Sequence, residues 1–382
     1  MSYNFEDFCN CGSGKKYKDC CSYKIRNILS DDEIIQALEF QNAWREFGNL
    51  DIQALIDIGM QNKNLDVQTF IDKVKPNKTH YKEYKHRKKN AIRRCLCPTC
   101  SEQTISSHAI SKKSTLEKIA EDGHVFCFVR DEKGGCEIKK RGMEQATTFN
   151  GFCSTHDNDI FAKIDAHDFD LTDENMFLLA YRTFSSYYRT ETEEEKFDNM
   201  TYLDSFLKLE MGDLITLKEK FDKCFINKDY SQLCSLKIEL PHPIKFAGTA
   251  TYVPTKDMFG NQIQSLNDKQ IHRMFITILP VMQKTYIVLS WFKDSNKIFK
   301  KYLQYFSKLT LTMKCRYLSY LIINAHQNLV FHPQMWNKIK QAYGDYFEYI
   351  YKVYDSEMQM FTPIRLTEYE LVFQRDLNLF QY

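Results

Sequence analysis

Apolar positions recur with different spacings along this 382-residue chain, and the changes of spacing divide it. Ile34, Ile35, Leu38 and Trp44 follow a helical interval behind Ser30 and Glu33, a pair with capping-box spacing, so residues 31–46 read as an amphipathic helix. Two shorter helical patterns follow to about Val74. Helical spacing returns in "LTDENMFLLAYRTFSSYYR", with Thr172 as N-cap and Asp173 and Glu174 in the first turn. A second long helical pattern runs from about Glu193 to Phe225. The stretches "SLKIEL", "FAGTATYV", "RMFITIL" and "TYIVLSWF" are rich in β-branched and aromatic residues and read as strands, the last two joined as a hairpin across "PVMQK". Three amphipathic helices close the chain, the last starting near Pro333, and its tyrosines fall at core spacing. The longest apolar run, "MFITILPVMQKTYIVLSWF", is broken by Pro280 and by Gln283 with Lys284, so no membrane span is predicted.

Two stretches follow neither period. One is the N-terminus; the other runs from Cys95 to about Asp165 and combines cysteine, histidine and glycine with short β-like runs such as "HVFCFV". The predicted class is therefore α+β, multidomain and mainly helical, with two small zinc-binding modules and a mixed α/β C-terminal region. The boundaries are a zinc module over 1–25, a helical spacer over 26–75, a basic arm over 76–94, a zinc domain over 95–168, a helical segment over 169–228 and an α+β region over 229–382.

Charge sharpens this division. The net +2 hides a segment from Lys73 to Arg94 that carries seven lysines and three arginines against Glu83 alone. Tyr81 and Tyr84 are interleaved with these bases, which suits phosphate contacts beside aromatic stacking. Lys82, Lys85, Arg87, Lys88, Lys89, Arg93 and Arg94 are the candidate contacts to DNA or RNA; a solvated basic helix is the plainer reading of the same run. Thirteen cysteines without a secretory leader pattern indicate a cytoplasmic protein whose grouped thiols hold metal.

The first group is "CNCGSGKKYKDCC". Cys9, Cys11, Cys20 and Cys21 can converge on one tetrahedral zinc across an eight-residue loop, and a segment this short needs metal to fold. The run C-x-C-x-S-G-K-K-Y-K-x-C-C resembles the SEC-C motif, the zinc-binding tail of the bacterial preprotein translocase ATPase. The resemblance spans about residues 5–25 and implies a bacterial protein with a docking surface for a partner protein.

The second group begins "CLCPTCSEQTISSHAIS" and ends "TFNGFCSTHDNDIF". Cys97 and Cys100 form a Cys-Pro-x-Cys knuckle and Cys153 with His156 a Cys-x-x-His pair, together a Cys3His zinc set with Cys95 as a rival ligand. The arrangement over about 95–165 resembles the treble-clef, His-Me finger fold of HNH endonucleases. That resemblance implies His108 as general base, Asp157 as ligand of a catalytic magnesium or other divalent ion, and Asn150 as the hairpin-positioning asparagine. A serine, Ser107, stands before the histidine where the family commonly has Asp or His. Lys112 and Lys113 would flank this site. His124 is a further candidate, and His272, on an apolar strand, reads as a core residue.

These features point to a protein with two structural zinc ions that acts on nucleic acid by metal-dependent cleavage. The competing class is a non-catalytic zinc-stabilised adaptor binding nucleic acid or a partner protein. His108 and an Asp157 carboxylate facing one open, solvent-reached spot would favour the enzyme; a His108 that ligates zinc or lies buried would favour the adaptor.

Overall fold

The computed structural model describes residues 92–382 except 131–135, 198–203, 266–267, 269, 326, 353–366 and 374–375, together with Asp32 and Ile35. The four N-terminal cysteines, most of the helix expected over 31–46, and the basic arm as far as Ala91 lie outside the described residues.

A two-residue strand β1 (Ser107–His108) is followed by a π-helical turn, Lys112–Leu116, which runs into α1 (Glu117–Ile119). Next come the hairpin β2 (His124–Arg130) and β3 (Cys136–Gly142), a second short strand β4 (Thr148–Phe149), and helices α2 (Ser154–Asp165), α3 (Asp173–Phe197) and α4 (Asp204–Asn227). Thr172 caps α3 as its position predicts: its hydroxyl accepts from Asn175 N–H at 3.2 Å. The C-terminal strands are β5 (Leu233–Leu240), β6 (Phe246–Tyr252), β7 (Met274–Val281) and β8 (Lys284–Phe292). Then follow α5 (Asn296–Tyr302), α6 (Leu311–Ala325), β9 (Asn328–Phe331), α7 (Pro333–Tyr343), α8 (Asp345–Lys352) and α9 (Glu368–Phe373).

The protein is α+β, as the sequence predicts. β1 and β4 pair alone; the other strands form a seven-stranded antiparallel sheet in the order β3-β2-β9-β6-β7-β8-β5. β7 and β8 meet across a turn at Met282 and Gln283, tighter than the five-residue connection expected, and Met282 takes a positive φ of 53° to make it. The hairpin β2–β3, drawn from residues 124–142, extends the same sheet as the C-terminal strands through the pairing of Phe126 with Phe331.

Side chains alternate across this sheet and build a core on each face. Met274, Ile276 and Ile278 of β7, with Ile287 and Leu289 of β8, join α5 to α9 on one side. Phe275, Leu279 and Val288 join α2, α3 and α4 on the other. Each fully buried Phe, Ile or Leu side chain contributes roughly 1.5–3 kcal/mol. Gly248 of β6 lies where α6 crosses, and a Cβ there would stand 2.6 Å from Ile322 Cγ1. Among the described residues, no helix is long and apolar enough to cross a membrane.

One buried polar cluster ties together the face covered by α5 to α9. Glu368, at the start of α9, accepts from the hydroxyls of Tyr252 at 2.5 Å, Tyr302 at 3.2 Å and Tyr317. Burial raises its carboxyl pKa, Asp257 pushes in the same direction, and the three phenols act against the shift. The folded protein therefore holds this proton more tightly than the unfolded chain. Its contribution to stability is complete below the ordinary carboxylate range and is lost as pH rises through the raised value. Replacing Glu368 by Gln, which does not titrate, is expected to remove that decline from denaturant unfolding measured at a series of pH values. An unchanged pH dependence would assign the decline to another group.

Candidate metal centre

Three local features of the chain from 94 to 157 bring its thiols together. Arg94 and Gln103 bridge the two arms of a short hairpin whose tip is the turn from Cys97 to Cys100, closed by Cys100 N–H to Cys97 O at 3.2 Å. That hairpin is zipped to the segment after β4 by Leu96 N–H to Gly151 O and Ile105 N–H to Phe152 O, both 2.8 Å. Gly151 is required there, because a Cβ would lie 2.1 Å from the Phe149 ring. Finally, Cys153 occupies the N-cap of α2, so Cys153 and His156 sit in one turn at the helix entrance.

The result is a compact group of Cys95, Cys100, Cys153 and His156, whose ligand atoms all lie within 4.8 Å of one another. Cys100 Sγ and Cys153 Sγ are 4.0 Å apart; His156 Nδ1 is 3.2 Å from Cys153 Sγ and 3.6 Å from Cys95 Sγ. Ligands around one tetrahedral zinc would be separated by about 3.8 Å between sulfurs and about 3.6 Å between sulfur and nitrogen. Three thiols and one imidazole are thus held at close to coordinating separations. The donor set matches that of structural zinc sites, in which the metal organises the fold.

Burial pushes the Cys95 thiol up to about 12 and the Cys97 thiol up to about 11. Cys153 is held below the ordinary thiol range, chiefly by the His156 backbone N–H at the start of α2. Metal uptake must therefore displace at least the Cys95 proton.

Cys97, which the Cys-Pro-x-Cys spacing places in the ligand set, is outside this group, and Cys95 is inside it. The cause is the turn itself. Thr99 adopts a positive φ of 67°, and the Cys97 N–H points at Cys95 Sγ across 3.5 Å, which puts the Cys95 sulfur inside the knuckle. The Cys97 thiol instead lies in the field of the Lys218 and Asp222 pair on α4.

Among the described residues this is the only group of three or more potential metal-binding side chains. His108 ends β1, opposite Thr148 of β4, half-buried and separate from the thiol cluster. Its Nε2 lies 3.1 Å from the Met143 carbonyl. Asp157 follows His156 on α2, where burial raises its carboxyl pKa while Arg182 and His108 pull the other way. Its Oδ1 is shielded from solvent, and the Ser107 hydroxyl beside it joins Arg182 and His108 in favouring the charged carboxylate. Asn150 lies between β4 and Gly151, and its side chain makes no hydrogen bond among the described residues.

Lys112 is paired with Glu144 beside His108. Arg93 and Arg94 form the base of the knuckle: Arg93 O accepts from Thr104 N–H at 3.0 Å, and Arg94 donates to Ser101 O. His124 is tied to the Asp122 carbonyl at 2.7 Å, and His272 to Ser295 Oγ at 2.8 Å. Asp165, Arg182 and Arg189 escaped the sequence reading although they contact this region. The available signal was a pair of arginines seven residues apart on the apolar face of a helix.

No protein-family model matches the chain, and neither a curated protein nor a solved structure matches it.

The distinction between Cys95 and Cys97 is directly measurable. Cys95→Ser is expected to lower bound zinc by one ion per chain in elemental analysis and to destabilise the finger. Cys97→Ser is expected to leave the metal content at the wild-type level. The reverse pattern would restore the Cys97 assignment.

Proposed function

We propose that the finger over residues 95–165 hydrolyses phosphodiester bonds in nucleic acid, with the Cys3His metal as scaffold and His108 as general base. One observation carries this reading: His108 lies outside the metal cluster, its Nε2 is engaged by the Met143 carbonyl, and Asp157 is close enough to act on it electrostatically. An imidazole that donates from Nε2 to a carbonyl has its lone pair on Nδ1. That nitrogen takes the proton of a water molecule attacking phosphorus, and the bond to the leaving oxygen breaks.

Asp157 supports the same reading. Its carboxyl lies close enough to His108 for each to act on the other's charge, with the Ser107 hydroxyl beside it. A divalent ion bound there would supply charge stabilisation for the phosphate and the leaving oxygen. The basic arm over 76–94 is the proposed contact to the nucleic-acid backbone, and the SEC-C-like segment over 5–25 the proposed docking site for a partner protein.

The adaptor reading draws on a different observation. Ser107 stands where an acid or histidine would provide a second ligand, and Asp165, the other carboxylate near His108, is taken by Arg182. In that account the Cys3His centre is purely structural.

His108→Ala separates the two readings. It is expected to retain zinc and melting temperature, because His108 binds neither the metal nor the core. Cleavage should fall by about 10²–10⁴-fold, the usual contribution of a general base. Asp157→Asn is expected to reduce cleavage in a way that added magnesium or manganese partly offsets. A wild-type protein inert on single- and double-stranded DNA and RNA with magnesium, manganese or nickel would leave the adaptor as the function.

A further inference from the structure

The ligands of the metal centre come from two separated stretches, 95–100 and 153–156, so its geometry depends on what fixes one stretch relative to the other. Hydrogen bonds of the zipped hairpin do part of this. The remainder comes from α3, which contributes no ligand.

Two arginines of α3, seven residues and therefore two turns apart, face the finger from the same side of the helix. Both are buried: Arg182 is 4% exposed and Arg189 8%. Arg182 grips α2 in two ways. Its guanidinium donates to both oxygens of Asp165, at 2.7 and 2.8 Å, and stacks 4.1 Å from the centre of the Phe161 ring. Phe161 and Asp165 lie one turn apart on the helix whose entrance carries Cys153 and His156. Arg189 reaches the other stretch, where its Nη2 donates at 2.6 Å to the carbonyl of Arg94, the residue immediately before Cys95.

Between the two, Ser186 Oγ accepts from Asn328 Nδ2 at 3.2 Å, which ties α3 to the start of β9. Tyr181 packs against Phe152 with ring centres 5.9 Å apart, directly beneath the segment leading to Cys153. The helix is thereby anchored to the sheet while it holds both ligand-bearing stretches.

We infer that Arg182 and Arg189 are positioning residues for the metal centre, setting the spacing between the Cys95 side and the α2 side so that the four ligand atoms are pre-arranged for the ion. Burying a guanidinium is a poor way to gain stability, since desolvation offsets much of the attraction. Its planar fork is well suited to fixing geometry. An outer contact that orients ligands typically changes metal affinity by roughly 10–100-fold when removed. This inference rests on the metal centre alone and stands or falls independently of nuclease activity.

The experiment uses the full chain. Arg182→Met, Arg189→Met and the double variant are measured by chelator competition for zinc and by the visible spectrum of the cobalt-substituted protein. Arg316→Met serves as control, because Arg316 is also a buried arginine, paired with Asp376 on the opposite face of the sheet. The double variant is expected to bind zinc at least tenfold more weakly and to show altered cobalt ligand-field bands, with each single variant between it and wild type. Arg316→Met is expected to change melting alone.

The conservative variants give a second readout that does not depend on the methionine proteins folding. Arg189→Lys keeps a donor for the Arg94 carbonyl and is expected to recover most of the affinity. Arg182→Lys loses both the planar fork on Asp165 and the stacking on the Phe161 ring and is expected not to. Wild-type zinc affinity and an unchanged cobalt spectrum in the double variant, or equal recovery by both lysine variants, would overturn the inference.

Discussion

The structure depends on the burial of β7 and β8 on both faces. Every residue of β7 is buried, and of β8 only Lys284 is exposed. A strand pair in that position cannot offer one face to water, so it demands a layer of helices on each side. The layer built from residues 154–227 includes α2, the helix that presents Cys153 and His156 at its entrance. The candidate metal centre is consequently not a free appendage. It rests on the aromatic packing of Phe152, Phe161 and Tyr181, which continues through Phe221 into Phe275 and so into the sheet.

Much of this arrangement was legible in the residues. The β7–β8 hairpin announced itself through two dense apolar runs, Thr172 marked the start of α3, and Cys153 with His156 carried the spacing of ligands on a helix entrance. β9 was not legible. Four residues, "NLVF", are too few to show a period, yet their place between β2 and β6 joins the finger hairpin to the C-terminal strands. The choice between Cys97 and its rival Cys95 was beyond the spacing for another reason. Spacing records how many residues lie between two sulfurs and says nothing about which way each points, and here the positive φ at Thr99 and the N–H to sulfur contact decide that.

The chemistry near His108 shows the same limit. A motif assigns types to positions, whereas the usefulness of a carboxylate depends on its surroundings. Asp157 and Asp165 are both near His108, but one has an oxygen shielded from solvent beside Ser107 and the other is neutralised by a two-pronged arginine. Arg182 was passed over in the sequence, despite its place on the apolar face of the helix, because an arginine in a helical pattern reads by default as a solvent-facing residue.

The pairing of Phe126 with Phe331 also has a consequence for the order of folding. It joins positions more than two hundred residues apart, and contacts that span such lengths form late because a long loop must close first. During synthesis, β2 has no inner neighbour until β9 has left the ribosome. The thiols and imidazole, by contrast, are all present once residue 156 has been made. An ion captured at that stage would hold the finger in shape through the interval in which the sheet that supports it does not yet exist.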